Sequence, residues 1–212
     1  AITGYRTVLE RLPAADDRRD AIEETLADLQ NARQQITKQQ ERRDTLQSRL
    51  TAAENNFQTA VRAQLEQQRT VAKIRYRDAR GQFENALEST ATDVPVFVTP
   101  IEVVPDASDL AVTGSLTEVS VLPTATARTL QQNGLSSVAD LQACAVDPTT
   151  DSDEPDPDRP IRDRVGSMDV ERSHASILLA LAWQHAEAVT FTSRTDIERR
   201  LRQAVTGYEL TV

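Results

Sequence analysis

From Ala14 to Arg80 the chain runs without a glycine or a proline, and apolar residues recur along it in steps of three and four. They fall at Ile22, Leu26, Leu29 and Ile36, then at Leu46, Leu50, Ala53, Phe57 and Ala60, with a third group at Val71 and Ile74. Such spacing is the seam of a coiled coil. Between Ile36 and Leu46 the rhythm slips and only polar residues such as Gln40 and Arg43 occupy the seam, which changes the supercoil locally without ending the helix. An unbroken helix over this stretch would reach roughly 100 Å, so it must project from a domain or pack along something else. A hairpin folded at Asn55-Asn56 is the alternative. The spacing Leu50, Ala53, Phe57, Ala60 passes through that pair in register and no turn residue marks it, so the pattern favours one helix. The seam is lean, with Ala, Gln and Arg where a strong zipper would place Leu, and it predicts a coil that needs a partner.

Before the rod, Thr3 is placed to cap a short helix through Leu12, and Pro13 suits the first turn of the long one. Beyond it the rod is expected to fray near Ser89 to Asp93, Gly81 being tolerated late in the helix. VPVFVTPIEVVP, Val94 to Pro105, has prolines every five residues; these forbid a central strand and allow extended edges. LAVTGSL and TEVSVL alternate well enough for short strands, giving a small β patch or plain linker. Near the C-terminus, ASILLALAW (Ala175 to Trp183) is apolar nearly all round and reads as a buried helix. Thr195-x-x-Glu198 reads as a capping box for a last helix ending before Gly207, with YELTV as a final strand. The expected fold is mainly α: a coiled-coil rod over 1–93, short extended or β segments over 94–123, a helical module over 120–146, an acidic linker over 147–166 and a C-terminal helical region over 167–212.

The module is the most specific motif. In SVLPTATARTLQQNGLSSVADLQACA a helix from about Thr124 to Gln132 should end at Asn133-Gly134, residues that tolerate the left-handed conformation. Leu135 follows, Ser136 or Ser137 caps, and VADLQACA makes a second short helix. Leu122, Leu130, Gly134-Leu135 and Val138-Ala139-Asp140-Leu141 together resemble the helix-hairpin-helix superfamily, in particular the C-terminal domain of bacterial RNA polymerase α subunits. The resemblance covers about 26 of the 212 residues and implies a local fold. The family's DNA contacts do not carry over. The glycine-rich amide hairpin is replaced by Leu122-Pro123-Thr124-Ala125, proline offering no donor; Ala125 stands where the α-subunit-like domains place an arginine; and Arg128 is the one base in the motif. The apolar frame of Leu122, Leu130, Leu135, Val138 and Leu141 is therefore read as a protein-docking module.

Charge adds a habitat. Only Lys38 and Lys73 are lysines among 24 basic residues, and the net charge is −9. Residues 1–90 carry about as many bases as acids, so the acidity lies beyond them. A lysine-poor, acidic, threonine- and valine-rich composition resembles proteins of extremely salt-loving archaea and their viruses. It keeps a surface hydrated when molar salt shortens the screening length to about 3 Å. Aromatic content of 4% predicts a small aliphatic core. One cysteine, Cys144, excludes an intrachain disulfide and a cysteine-based zinc site. No twenty-residue apolar run exists to span a membrane, and AITGYRTVLERL lacks a signal-peptide layout, so a cytoplasmic or virus-particle location is expected. DPTTDSDEPDPDRPIRD reads as a solvated acidic linker, without the calcium-loop pattern. His174 and His185 share a helix face but lie about 16 Å apart, too far to share a metal.

No phosphate loop, metal cluster or nucleophile motif appears, so neither a catalytic site nor a cofactor is expected. The preferred expectation is a structural or assembly protein that self-associates through the coiled coil and docks other proteins, as a tail or baseplate component of a haloarchaeal virus would. The alternative is a nucleic-acid-binding or chromosome-associated coiled coil using Arg69, Lys73, Arg77 and Arg80, which fall on one helical face.

Overall fold

The stripes of apolar residues become helices in the computed structural model, which describes residues 1–13, 16, 18–90, 114–141, 172–183 and 191–212. Helix α1 covers Ile2–Arg11 and α2 covers Arg18–Leu65. The expected cap at Thr3 is not used: α1 starts from Ala1 without a side-chain cap, and Thr3 lies inside the helix with its carbonyl accepting from the Thr7 hydroxyl. Pro13 precedes α2 in the connection rather than in its first turn; its carbonyl accepts from the Asp16 amide, and the Asp16 carboxylate takes the amide and guanidinium of Arg18. The Arg18 partner, through side-chain and then backbone hydrogen bonds, holds the half-buried Asp16 carboxyl down at about 2.

The unbroken rod to Arg80 is not formed, and neither is a hairpin at Asn55-Asn56. α2 ends at Leu65, the chain reverses over Glu66, Gln67 and Gln68, and α3 runs Arg69–Ser89. The reversal is a Schellman motif. Gln67 sits at φ 60°, the Gln68 amide reaches back to Ala63 O at 2.7 Å and the Gln67 amide to Gln64 O at 3.1 Å. A glutamine thus occupies the position that glycine usually marks, and the turn carries no composition signal. α3 then returns antiparallel along α2: Gln64 meets Tyr76, Asn56 meets Gln82, and Arg49 meets Asn85 and Ser89. It buries Ala72, Tyr76, Ala79, Phe83 and Ala86, a heptad stripe in which alanine alternates with aromatic rings. Val71 and Ile74, expected on the seam, lie on the opposite side, 40% and 44% exposed.

In residues 114–141 no strand forms among the described residues. TEVSVL makes turns, with Glu118 N donating to Ser115 O and Leu122 N to Val119 O; Ser115 makes one isolated antiparallel bridge to Ser137. Helix α4, Thr124–Gln132, has the expected bounds. It ends in a second Schellman motif, with Gly134 at φ 83° and Leu135 N donating to Leu130 O at 2.9 Å. Helix then resumes from Val138, with Ser137 Oγ accepting from the Asp140 amide. Two short helices joined by this turn close over Leu116, Leu122, Ala127, Leu130, Leu135, Val138 and Leu141.

Helices α5, Arg172–Trp183, and α6, Arg194–Thr211, complete the described structure. As expected, α5 is buried from Leu178 through Trp183. The capping box lies two residues before the predicted one: Ser193 is the cap and Asp196 its reciprocal partner. The final helix does not stop before Gly207 and no terminal strand forms. Gly207 is wanted for closeness instead, since a Cβ there would stand 2.6 Å from the Tyr76 ring. Packing against α3 carries the helix through a residue that local propensity disfavours. The expected segments over 94–113, the acidic linker, Cys144 and His185 lie outside the described residues.

The chain divides into two compact units, Ala1–Leu46 and Gln47–Val212. The boundary falls where the heptad rhythm slips.

Candidate functional site

In the second unit the heptad positions close an intramolecular core. Leu50, Ala53, Phe57 and Ala60 of α2 are fully buried, as are Tyr76 and Phe83 of α3 and Ile197 and Ala204 of α6. Phe57, Tyr76 and Trp183 form a ring cluster with centroids 5.8 to 6.3 Å apart, and Phe83 packs on Phe191 at 5.9 Å. α6 runs antiparallel to α3, with Arg69 Nε donating to Thr211 O at 3.0 Å and Lys73 lying 5.8 Å over the Tyr208 ring.

Inside this core sits a polar network. Glu54, fully buried, accepts both arms of Arg200 at 2.9 Å, and Oε1 also takes the Gln58 amide at 2.7 Å. Arg200 donates onward to Gln203 at 2.7 Å and stacks 4.5 Å over Phe57. A second chain of bonds runs from the Tyr76 hydroxyl to Gln64 Oε1 at 2.6 Å, and from Gln64 Nε2 to Ser176 O at 3.0 Å. Burial pushes the Tyr76 hydroxyl far above its ordinary range, so it stays a donor. Among the described residues no buried side-chain polar atom lacks a partner. Matched so completely, the network fixes how the helices it joins are oriented. Sequence reasoning missed it. The available signal was spacing: Glu54 lies on the buried face of α2 beside Phe57, and Arg200 on the Ile197–Ala204 stripe.

The predicted seam is divided by the structure. Leu46, Leu50 and Phe57 are buried; Ile22, Leu26 and Leu29 are half-buried; Ile36 is 55% exposed. From residue 31 to residue 45 every side chain of α2 is exposed, and none of the described residues from 1 to 45 is buried. Tyr5 and Val8 on α1 add further apolar surface. Arg19 ties α1 to α2: it donates to the orphan carbonyls of Leu9 and Leu12 at the end of α1, both at 3.3 Å, and pairs with Glu23.

The predicted basic face is already engaged. Arg69 caps α6, Lys73 lies over Tyr208, Arg77 pairs with Asp78 at 3.2 Å and Arg80 with Glu84 at 2.8 Å. The predicted docking residues Leu122, Leu130, Leu135, Val138 and Leu141 are all spent on the module's own core. Asp140 anchors it. Its carboxylate accepts from the amides and hydroxyl at Ser136 and Ser137, which hold its pKa at about 2. On α6, burial raises Asp196, but hydrogen bonds from Thr192 and Ser193 outweigh it and the net shift is downward. The module meets α5 through Thr126 and His174, 3.0 Å apart.

The chain matches no protein-family model, no curated protein and no solved structure. Among the described residues no three His, Cys, Asp or Glu side chains gather as metal ligands, and no helix is long and apolar enough to cross a membrane. The exposed large apolar side chains among the described residues 1–45 are Tyr5, Val8 and Ile36.

Proposed function

We propose that the chain is a non-enzymatic assembly protein, in which residues 1–46 are the self-association element and residues 47–212 a folded body that docks other proteins of a larger complex. The observation that carries this reading is the absence of any buried side chain among the described residues 1–45. A helix draws most of its stability from burying an apolar stripe. Here the stripe exists, at Ile22, Leu26, Leu29 and Ile36, and this chain alone covers the first three only in part and leaves Ile36 exposed. The composition favours a salt-adapted assembly, such as a virus particle, as its setting. The nucleic-acid reading through Arg69, Lys73, Arg77 and Arg80 draws less support, because each of the four is engaged within the chain. Sedimentation equilibrium of the full chain tests the proposal. Association that strengthens with concentration is expected; a folded monomer at every micromolar loading overturns it.

A further inference from the structure

Among the buried described residues there is one acid, Glu54, and one base, Arg200, and they meet. Glu54 stands in the α2 stripe of Leu50, Ala53, Phe57 and Ala60, and Arg200 in the α6 stripe of Ile197 and Ala204. The other buried residues of α2 and α3, from Leu46 to Ala86, are apolar or neutral, with no lysine or arginine among them. The α2–α3 face of a second copy would therefore offer Leu50, Phe57, Tyr76 and Phe83 as apolar surface and nothing to neutralise Glu54. α6 brings little bulk of its own. Of its buried residues only Ile197 is a large apolar one, so hydrophobic contact alone gives α6 no advantage over that rival face.

We propose that Glu54 and Arg200 are a recognition pair: they admit α6 to the α2–α3 face and reject the same face of a second copy, which would bury Glu54 without a base. The competition arises during folding. α3 follows α2 at once through Glu66, Gln67 and Gln68, whereas more than one hundred residues separate Ser89 from Arg194. Local contacts close before distant ones, and a long loop is entropically costly to close. The α2–α3 face therefore forms ahead of α6 and meets other copies while it waits. Its heptad stripe suits a generic coiled-coil partner, and a charge that must be matched inside the interface removes that freedom. Fixing partner and register is the best-attested use of a buried polar group, which adds little stability over an apolar replacement. Gln58, Gln203 and the Phe57 ring complete the match only where Arg200 arrives. The proposal is independent of the self-association reading above, and gives a reason for the body to keep its apolar face to itself.

Refolding of the full chain tests this. Every form compared carries Leu26→Asp, so the comparison stands whether or not residues 1–46 associate. Chains are diluted from urea at micromolar and at near-millimolar concentration, the range in which exposed apolar faces associate. Sedimentation velocity then reads the species formed, and circular dichroism the helix content. The parent should return as a monomer. Glu54→Leu with Arg200→Leu keeps apolar contact and removes the discrimination. It should regain its helix content yet place at least about tenfold more chain in dimers and larger species at the higher concentration, a stranded buried charge being worth at least that factor. Glu54→Gln with Arg200→Gln removes both charges but keeps polar partners for Gln58 and Gln203, and should fall between the two. Where the leucine variant does not regain its helix content, the glutamine variant decides. A folded leucine variant as monomeric as the parent overturns the proposal, and so does a glutamine variant that matches the parent. A parent that associates as strongly as the leucine variant overturns it as well.

Discussion

Glu54 and Arg200 show what a buried charge does in a core this small. Their side chains are 0% and 7% exposed, so the pair gains from a low-dielectric setting and loses its hydration at once. Its worth lies in being complete: Gln58, Gln203 and the Phe57 ring take up what the two partners leave unmet. Truncating one partner strands the other. Glu54→Ala is expected to cost about 3–5 kcal/mol, the range for breaking a buried pair from one side. The double change Glu54→Leu with Arg200→Leu should cost much less, because no charge is left unpaired. Urea unfolding of the two variants checks this; equal losses would show that side-chain volume, not charge pairing, governs the site. Tyr76 follows the same logic with a neutral group, its hydroxyl bonded to Gln64 while its ring seats Gly207.

At the scale of the element, the reversal between α2 and α3 was the feature least legible in the sequence. Apolar spacing gave the helices and their buried faces through Leu50, Ala53, Phe57 and Ala60, because those positions face the core whichever helices complete it. Spacing could not say whether the stripe would meet a second chain or the same chain folded back. Leu65 ends α2 at a glutamine in the left-handed region, where glycine or asparagine is the usual sign. Tertiary contacts carry that strain, among them the Tyr76–Gln64 bond just before and after the turn. The α4 motif was legible for the opposite reason: Asn133-Gly134 announces its own backbone. The last helix was misread at both ends, since Gly207 answers to Tyr76 and not to helix termination. Gln67→Gly should therefore be neutral or stabilising by up to about 1 kcal/mol, the relief of left-handed strain offset by the extra freedom of the unfolded chain. Gln67→Val should destabilise, because a β-branched residue at positive φ is more strained still. Thermal unfolding midpoints that fall for glycine as much as for valine would mean the turn does not hold this conformation in solution.

For the whole molecule, the sequence expectation treated one seam as one interface, and the structure splits it in two. Leu50, Ala53, Phe57 and Ala60 are consumed inside a folded body; before Leu46 the seam is half-buried at Ile22, Leu26 and Leu29 and exposed at Ile36. The slip between Ile36 and Leu46 is the sequence trace of that division, because the residues after it answer to α3 and α6. The consequence is a separation of phenotypes. Leu50 and Phe57 are fully buried, so an aspartate at either would place an unpaired charge in the core of the second unit. Loss of the cooperative unfolding transition is expected there. Leu26 is half-buried and Ile36 more than half exposed, and an aspartate at either leaves the second core untouched. Leu26→Asp and Ile36→Asp should keep the thermal transition of that unit within a few degrees, since surface changes typically move stability by no more than about 0.5 kcal/mol. Both should weaken self-association at least tenfold, as each interface buries the new charge in two symmetric copies. Calorimetry paired with sedimentation equilibrium reads the two effects separately. If Leu26→Asp unfolds the body, or Leu50→Asp spares it while abolishing association, the seam is a single continuous interface after all.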